Sequence, residues 1–124
     1  MTGGTLFLRQ IHPSFVQAGR VTSQAFRPTP KDDSLLSVYD GDMISAEKAW
    51  IHFTNQDNCA SVGVLAVTCD ECVAEGLTAR PDPAPFPEHA VIDFTGFSDN
   101  QREKKSKKLK AKAEDRGWQY QAPP

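Results

Sequence analysis

Three clusters of side chains in this sequence have the types and spacing to do chemistry. The first lies in "LFLRQIHPSF" and "GRVTSQAFRPTPKD", where Arg9, His12, Ser23, Gln24 and Arg27 precede Tyr39. A guanidinium, an imidazole, hydroxyls and an amide are the groups that hold an anion or a nucleotide. The plain alternative is that Arg9 faces solvent or pairs with a carboxylate and that His12 bonds to backbone. Most polar side chains only satisfy structure in this way.

The second cluster is "TCDEC", a Cys69-x-x-Cys72 pair at a helix start after an apolar strand. That setting lowers a thiol pKa and permits thiol exchange. The intervening Asp70 and Glu71 oppose it, because negative charge disfavours a thiolate. A zinc set of His52, Cys59, Cys69 and Cys72 matches no standard spacing. No metal, no cofactor and no redox role are therefore expected.

The third cluster is "REKKSKKLKAKAEDRGW". Lys104, Lys105, Lys107, Lys108, Lys110 and Lys112 surround a narrow seam of Ser106, Leu109 and Ala113. They form either a phosphate-binding patch or the wet side of a docked helix. No aromatic residue interleaves them, so a stacking platform for single strands is missing.

The elements that must position these groups follow from pattern. Leu6 and Leu8 alternate with Phe7 and Arg9, which predicts a half-buried strand over Thr5–Gln10. A second strand is expected over Arg20–Phe26, a third over Leu35–Asp40, and an apolar one over Ser61–Val67. Ala46, Ala49, Trp50 and Phe53 make a helical stripe with Ser45 as its cap. Thr68 with Glu71, and Ser98 with Gln101, have capping-box spacing. Gly76 and Gly117 mark the two helix ends. "RPDPAPFPEH" reads as a proline-rich excursion, His89–Phe94 as a strand, and "WQYQ" as a short edge strand. The expectation is one α+β domain over residues 1–124, with a mixed sheet, about three helices packed on it and a basic C-terminal helix over 98–117.

Charge is split along the chain. Through Ser98 there are six Lys and Arg against twelve Asp and Glu, a balance of −6; from Asp99 onward there are eight against four, a balance of +4, and the whole is −2. An acidic body with a basic arm suits a protein partner, because complementary fields speed association. No apolar run is long enough for a membrane span. The N-terminus lacks a secretory pattern, and three cysteines suit a reducing cytoplasm.

Over Leu6 to Trp50, the layout resembles the N-terminal half of ADP-ribosyltransferase-type domains. It runs from an Arg-bearing strand through a Ser- and Phe-bearing strand and "SVY" to a helix. That resemblance implies a dinucleotide held by the early basic residue and a catalytic glutamate on a late strand. Here the late strand carries Asp93, with Glu88 just before it. "SQAFRPTPKD", "LSVYDGD", "PEHAVIDF" and "RGW" are similar to stretches of a small bacterial hypothetical-protein family, which implies a bacterial source and no particular activity.

No G-x-S-x-G turn and no Gly-rich phosphate loop is present, so the sequence leans against an enzyme. The leading expectation is a small accessory or regulatory protein that binds a protein partner, immunity- or antitoxin-like in kind. A nucleotide-handling domain comes second, using Arg9, His12, Ser23, Gln24, Arg27 and Tyr39. RNA or DNA binding through the lysines comes third. Oligomeric state is not legible.

Overall fold

A computed structural model describes residues 1–124. In chain order its strands are β1 (Leu6–Gln10), β2 (Val16–Gln17), β3 (Arg20–Val21), β4 (Leu35–Asp40), β5 (Gly63–Thr68), β6 (Thr78–Pro81), β7 (His89–Asp93) and β8 (Tyr120–Gln121). The helices are α1 (Ala46–Thr54), α2 (Cys69–Ala74) and α3 (Asp99–Arg116), with short 3-10 turns at Pro13–Phe15, Ser23–Phe26 and Pro30–Asp32. The α+β class and the three helices are as expected. No helix is long and apolar enough to cross a membrane.

Six strands form one sheet in the order β6-β7-β4-β1-β5-β8, and β2 and β3 make a separate small hairpin. Every pairing is antiparallel, so the sheet is not mixed. The alternation of strands and helices along the chain pointed to parallel neighbours, and the directions show why they do not occur. β4 and β5, joined through α1, do run the same way, but β1 lies between them. The strands joined through α2, and those joined through α3, are likewise parallel and never adjacent. Each crossover skips at least one strand, so neighbours always oppose.

β1 is the second correction. Phe7 is fully buried and Leu8 almost so, because both faces of the strand are covered. On one face Phe7, Leu36, Val38, Leu65, Val67 and Ile92 pack against α2, α3 and the turn Ser23–Phe26. On the other, Leu8, Tyr39, Val64 and Ala66 pack under α1 through Ala49 and Trp50. The expected strand Arg20–Phe26 is a third correction. Only Arg20 and Val21 pair, and the chain then coils so that Ala25 and Phe26 plug the core. β6 runs into the first two residues of the proline-rich excursion, where Pro81 is tolerated because this strand is the sheet edge.

The three anticipated caps form. Ser45 accepts from the Lys48 N–H, and both capping boxes close. The seam of α3 is as read: Ser106, Leu109 and Ala113 are fully buried. Ser106 Oγ donates to the Phe26 carbonyl at 2.9 Å, which explains a serine in an apolar seam. Removing that donor should cost about 1–2 kcal/mol. Ser106→Ala is therefore expected to lower the urea-unfolding free energy by that amount. Lys104→Glu, exposed and in no ion pair, should change it by less than about 0.5 kcal/mol.

Candidate functional site

β1 and β4 are tightly joined at one end and open at the other. At the closed end, Phe7 meets Asp40 and Leu8 meets Tyr39. The Gly41 N–H donates to the Leu6 carbonyl at 2.8 Å, and a Cβ on Gly41 would lie 2.6 Å from that oxygen, so only glycine fits. Thr5 Oγ1 donates to Asp42 Oδ2 at 2.6 Å beside it. Beyond Leu8 the strands part. β1 stays paired with β5 out to Gln10–Val64, while β4 stays paired with β7 down to Leu35–Asp93. The result is a fork in the sheet.

The fork holds a cavity of about 480 Å³, within the range of small-molecule sites. Arg9 reaches across it. Its Nε donates to the Ala25 carbonyl at 2.7 Å and its Nη1 to the Ser37 carbonyl at 2.9 Å. The guanidinium thus takes over the β4 carbonyl that the missing ladder would have used. It makes no ion pair. Burial pulls its pKa down to about 10, and the charge of Asp32 offsets this only in part. Nη2 donates to nothing in the chain.

Gln10 is the more pointed feature. It is only 6% exposed, it lines the fork, and neither Nε2 nor Oε1 has a partner. An unpaired buried amide costs roughly 1–3 kcal/mol per group, and native structures carry few of them. Both polar ends are sealed in the cavity wall without a partner in the chain.

The far wall is aromatic. The Phe86 ring lies 5.1 Å from Tyr39, 4.5 Å from His52 and 5.2 Å from His89 between centroids. Tyr39 sits with its hydroxyl 2.8 Å from His52 Nδ1. Burial first, then the charges of Cys59 and Glu88, push the phenol pKa well up. Tyr39 therefore keeps its proton, and its hydroxyl is paired with the imidazole of His52. His89 Nδ1 donates to the Asp82 carbonyl at 2.8 Å and lies 3.3 Å from Asp82 Oδ2. With that nitrogen committed as a donor, Nε2 of the neutral ring accepts from Ser37 Oγ at 3.2 Å.

Of the six residues read from the sequence, Arg9, His12 and Tyr39 line the fork. Gln24 and Arg27 line a separate groove with Arg102 and Asp99 at the start of α3, which shares Phe15 with the fork. Ser23 lines neither, because it begins a 3-10 turn and not a strand. Arg9, His12 and Ser23 therefore do not converge as one set. Gln10, Ser37 and His89 were missed. Gln10 did carry a signal: it follows Leu6 and Leu8 on one side of β1, at a position whose period calls for an apolar residue.

Lys104, Lys107, Lys108 and Lys112 are exposed, as expected of the wet side of α3, while Lys105 and Lys110 are half-buried. Lys105 has its Nζ 4.2 Å over the Phe97 ring and donating to the Glu75 carbonyl. Lys107, Lys108 and Lys110 face Glu103, Glu75 and Glu114 at 3.6, 3.8 and 3.1 Å. In the cysteine pair, Cys72 is buried and its thiol is pushed up to about 12, by burial first and then by the charges of Cys69 and Glu71. Glu71 is held by both Thr68 and Arg116, which makes it a structural carboxylate.

Compared with protein-family models, with curated proteins and with solved structures, the chain shows no match. The site stands on its geometry alone.

Two outcomes follow. Gln10→Leu should raise the stability of the ligand-free protein by about 1 kcal/mol or more, since it removes two unpaired polar atoms from a buried position; denaturant melts check this. Iodoacetamide at pH 8 should reach Cys72 only on unfolding. The unfolded thiol titrates near 8.5 and the folded one at about 12, so this group's contribution to stability is complete below about pH 8.5 and is lost as pH rises toward 12.

Proposed function

We propose that this chain binds a small anionic molecule in the fork between β1 and β4. The observation that carries the reading is Arg9, a guanidinium drawn into the sheet with no carboxylate in ion-pair contact and with Nη2 donating to nothing in the chain. Desolvating a cation is costly, and an incoming anion recovers part of that cost. Gln10 supplies a donor and an acceptor on the neighbouring position, and Phe53, Tyr39 and Phe86 supply apolar surface. A ligand with an anionic head and an apolar or ring-bearing body fits both ends. Nucleotides fall within that class.

Partner binding, the leading expectation from the sequence, uses the exterior of the protein and is compatible with this reading, since an accessory protein can carry a ligand. Nucleic-acid binding through α3 ranks last, because no aromatic side chain interleaves its lysines and Glu103, Glu75 and Glu114 lie among them.

Thermal-shift measurements against phosphate, small carboxylates and mononucleotides test the proposal. At least one should raise Tm at millimolar concentration, since a ligand that binds only the folded state stabilises it by mass action. Arg9→Met should abolish the shift while the protein stays folded. No shift with any member of the panel, or an equal shift in Arg9→Met, would sink it.

A further inference from the structure

We propose that the fork is also a hydrolytic centre, in which Ser37 is the nucleophile, His89 its base and Asp82 the residue that positions the base. Its substrate is a small carboxylic ester bearing an anionic group. The class of anionic substrate rests on the binding reading above; the nucleophile does not.

The placement follows from strand register. Continuing the β1–β4 ladder past Leu8–Tyr39 puts Gln10 opposite Ser37, on the same face of the sheet. On the next strand Tyr39 meets His89 and Ser37 meets Val91, so His89 lies diagonally across from Ser37 on that face too. Ser37 and His89 therefore adjoin on that face, and Gln10 shares it from the β1 side of the opening. This is a surface where an antiparallel sheet usually presents apolar or solvated side chains, and here it presents an amide, a hydroxyl and an imidazole.

The bonds among them have a direction. The Asp82 carbonyl can only accept, so it fixes the proton of His89 on Nδ1. The Asp82 carboxylate stands 3.3 Å from the same nitrogen, where it stabilises an imidazolium once one forms. Nε2 is left as a base, 3.2 Å from the Ser37 hydroxyl. Ser37 is exposed into the cavity, as a nucleophile must be. A nucleophile bonded to a base that a third group orients is the geometry of an activated hydroxyl. The plain alternative, a histidine that only ties the loop 82–88 to the sheet, accounts for Asp82. It does not account for Gln10, whose Nε2 is buried opposite the nucleophile with nothing to donate to.

Ser37 Oγ adds to the ester carbonyl carbon while its proton passes to His89 Nε2. The charge that develops on the carbonyl oxygen falls to the Gln10 amide, which lies on the same face as Ser37 and whose unpaired Nε2 turns from the cavity wall toward it, while Arg9 holds the substrate's anionic group. The C–O bond to the alcohol breaks, and His89 returns the proton to the leaving oxygen. Water then adds to the acyl-Ser37 carbonyl and gives its proton to His89. Ser37 leaves with that proton, and the free acid is released. No oxidant, metal or co-reactant is required.

A fluorophosphonate probe with mass mapping, together with the 4-nitrophenyl esters of succinate and acetate, tests the proposal on the full chain. The expected result is one phosphonyl adduct on Ser37 and turnover that prefers the anionic succinate ester. Ser37→Ala, an exposed position, should remove the adduct and lower turnover at least 100-fold. Gln10→Leu should lower kcat by about 10²–10³-fold, as loss of one oxyanion donor does. Arg9→Met should erase the preference for succinate. Folded wild type that gives neither adduct nor turnover, or turnover unchanged in Ser37→Ala, overturns the proposal. Failure of the binding reading looks different. An adduct on Ser37 with no anion-induced Tm shift overturns that reading alone, whereas an intact shift with no adduct overturns the hydrolytic one alone.

Discussion

The parting of β1 from β4 after Leu8 is the constraint on which the rest of the structure depends. A sheet that simply continued its ladder would bury Arg9 and Gln10 against Val38 and Ser37 and leave no cavity. Instead the chain turns away through His12 and Pro13, and the 3-10 turn Ser23–Phe26 wedges Ala25 and Phe26 into the core beneath the gap. The guanidinium of Arg9 then substitutes for the missing strand contacts, holding the Ala25 and Ser37 carbonyls at once. A long, forked cation does this without a bulky carboxylate partner, which would close the gap it spans. The same interaction that keeps the fork open therefore leaves a positive group at its floor.

Stability and site are divided between the two faces of the sheet. The face under α2 and α3 is dry and continuous, with fully buried Phe7, Phe26, Phe94, Leu65 and Leu109. It carries the structural polar contacts as well, from the Ser106 bond to the Phe26 carbonyl to the Glu71–Arg116 pair. The opposite face is covered by α1 over β1 and β5, and by the proline-rich loop through Phe86 over β4. The cavity lies where these two covers meet. An unpaired amide is tolerated there because the other face holds the fold together, the usual relation between a destabilising site and its scaffold.

The arrangement also explains why polar chemistry collects on β4 and β7. In an antiparallel pair, diagonal neighbours on one face lie within reach of long side chains. Ser37 and His89 meet in this way across 52 residues of sequence. Phe86 and Asp82 come from the loop that leads into β7, so one segment brings both the aromatic wall and the group that orients His89.

Local chemistry made much of this legible in advance. Ser45, Thr68 and Ser98 announce their helices because a hydroxyl must satisfy free N–H groups at a helix start, and those bonds lie within three residues. The buried seam of α3 follows from its helical spacing, and β5 from an apolar run that does not alternate. Arg9 and His12 could be named as polar groups near one another in the chain, and Tyr39 as a polar group on a later strand. Tertiary structure decided the rest. Strand order is set by which long-range pairs bury most surface, and it turned an expected mixed sheet into an antiparallel one. The run Arg20–Phe26 has strand composition, yet packing beneath the fork coils it and carries Ser23 away from the site. Gln10, Ser37 and His89 lie on strands read correctly as strands. Their meeting depends on register and on the opening between β1 and β4, and no local pattern encodes either, because both arise from contacts between residues far apart in the chain.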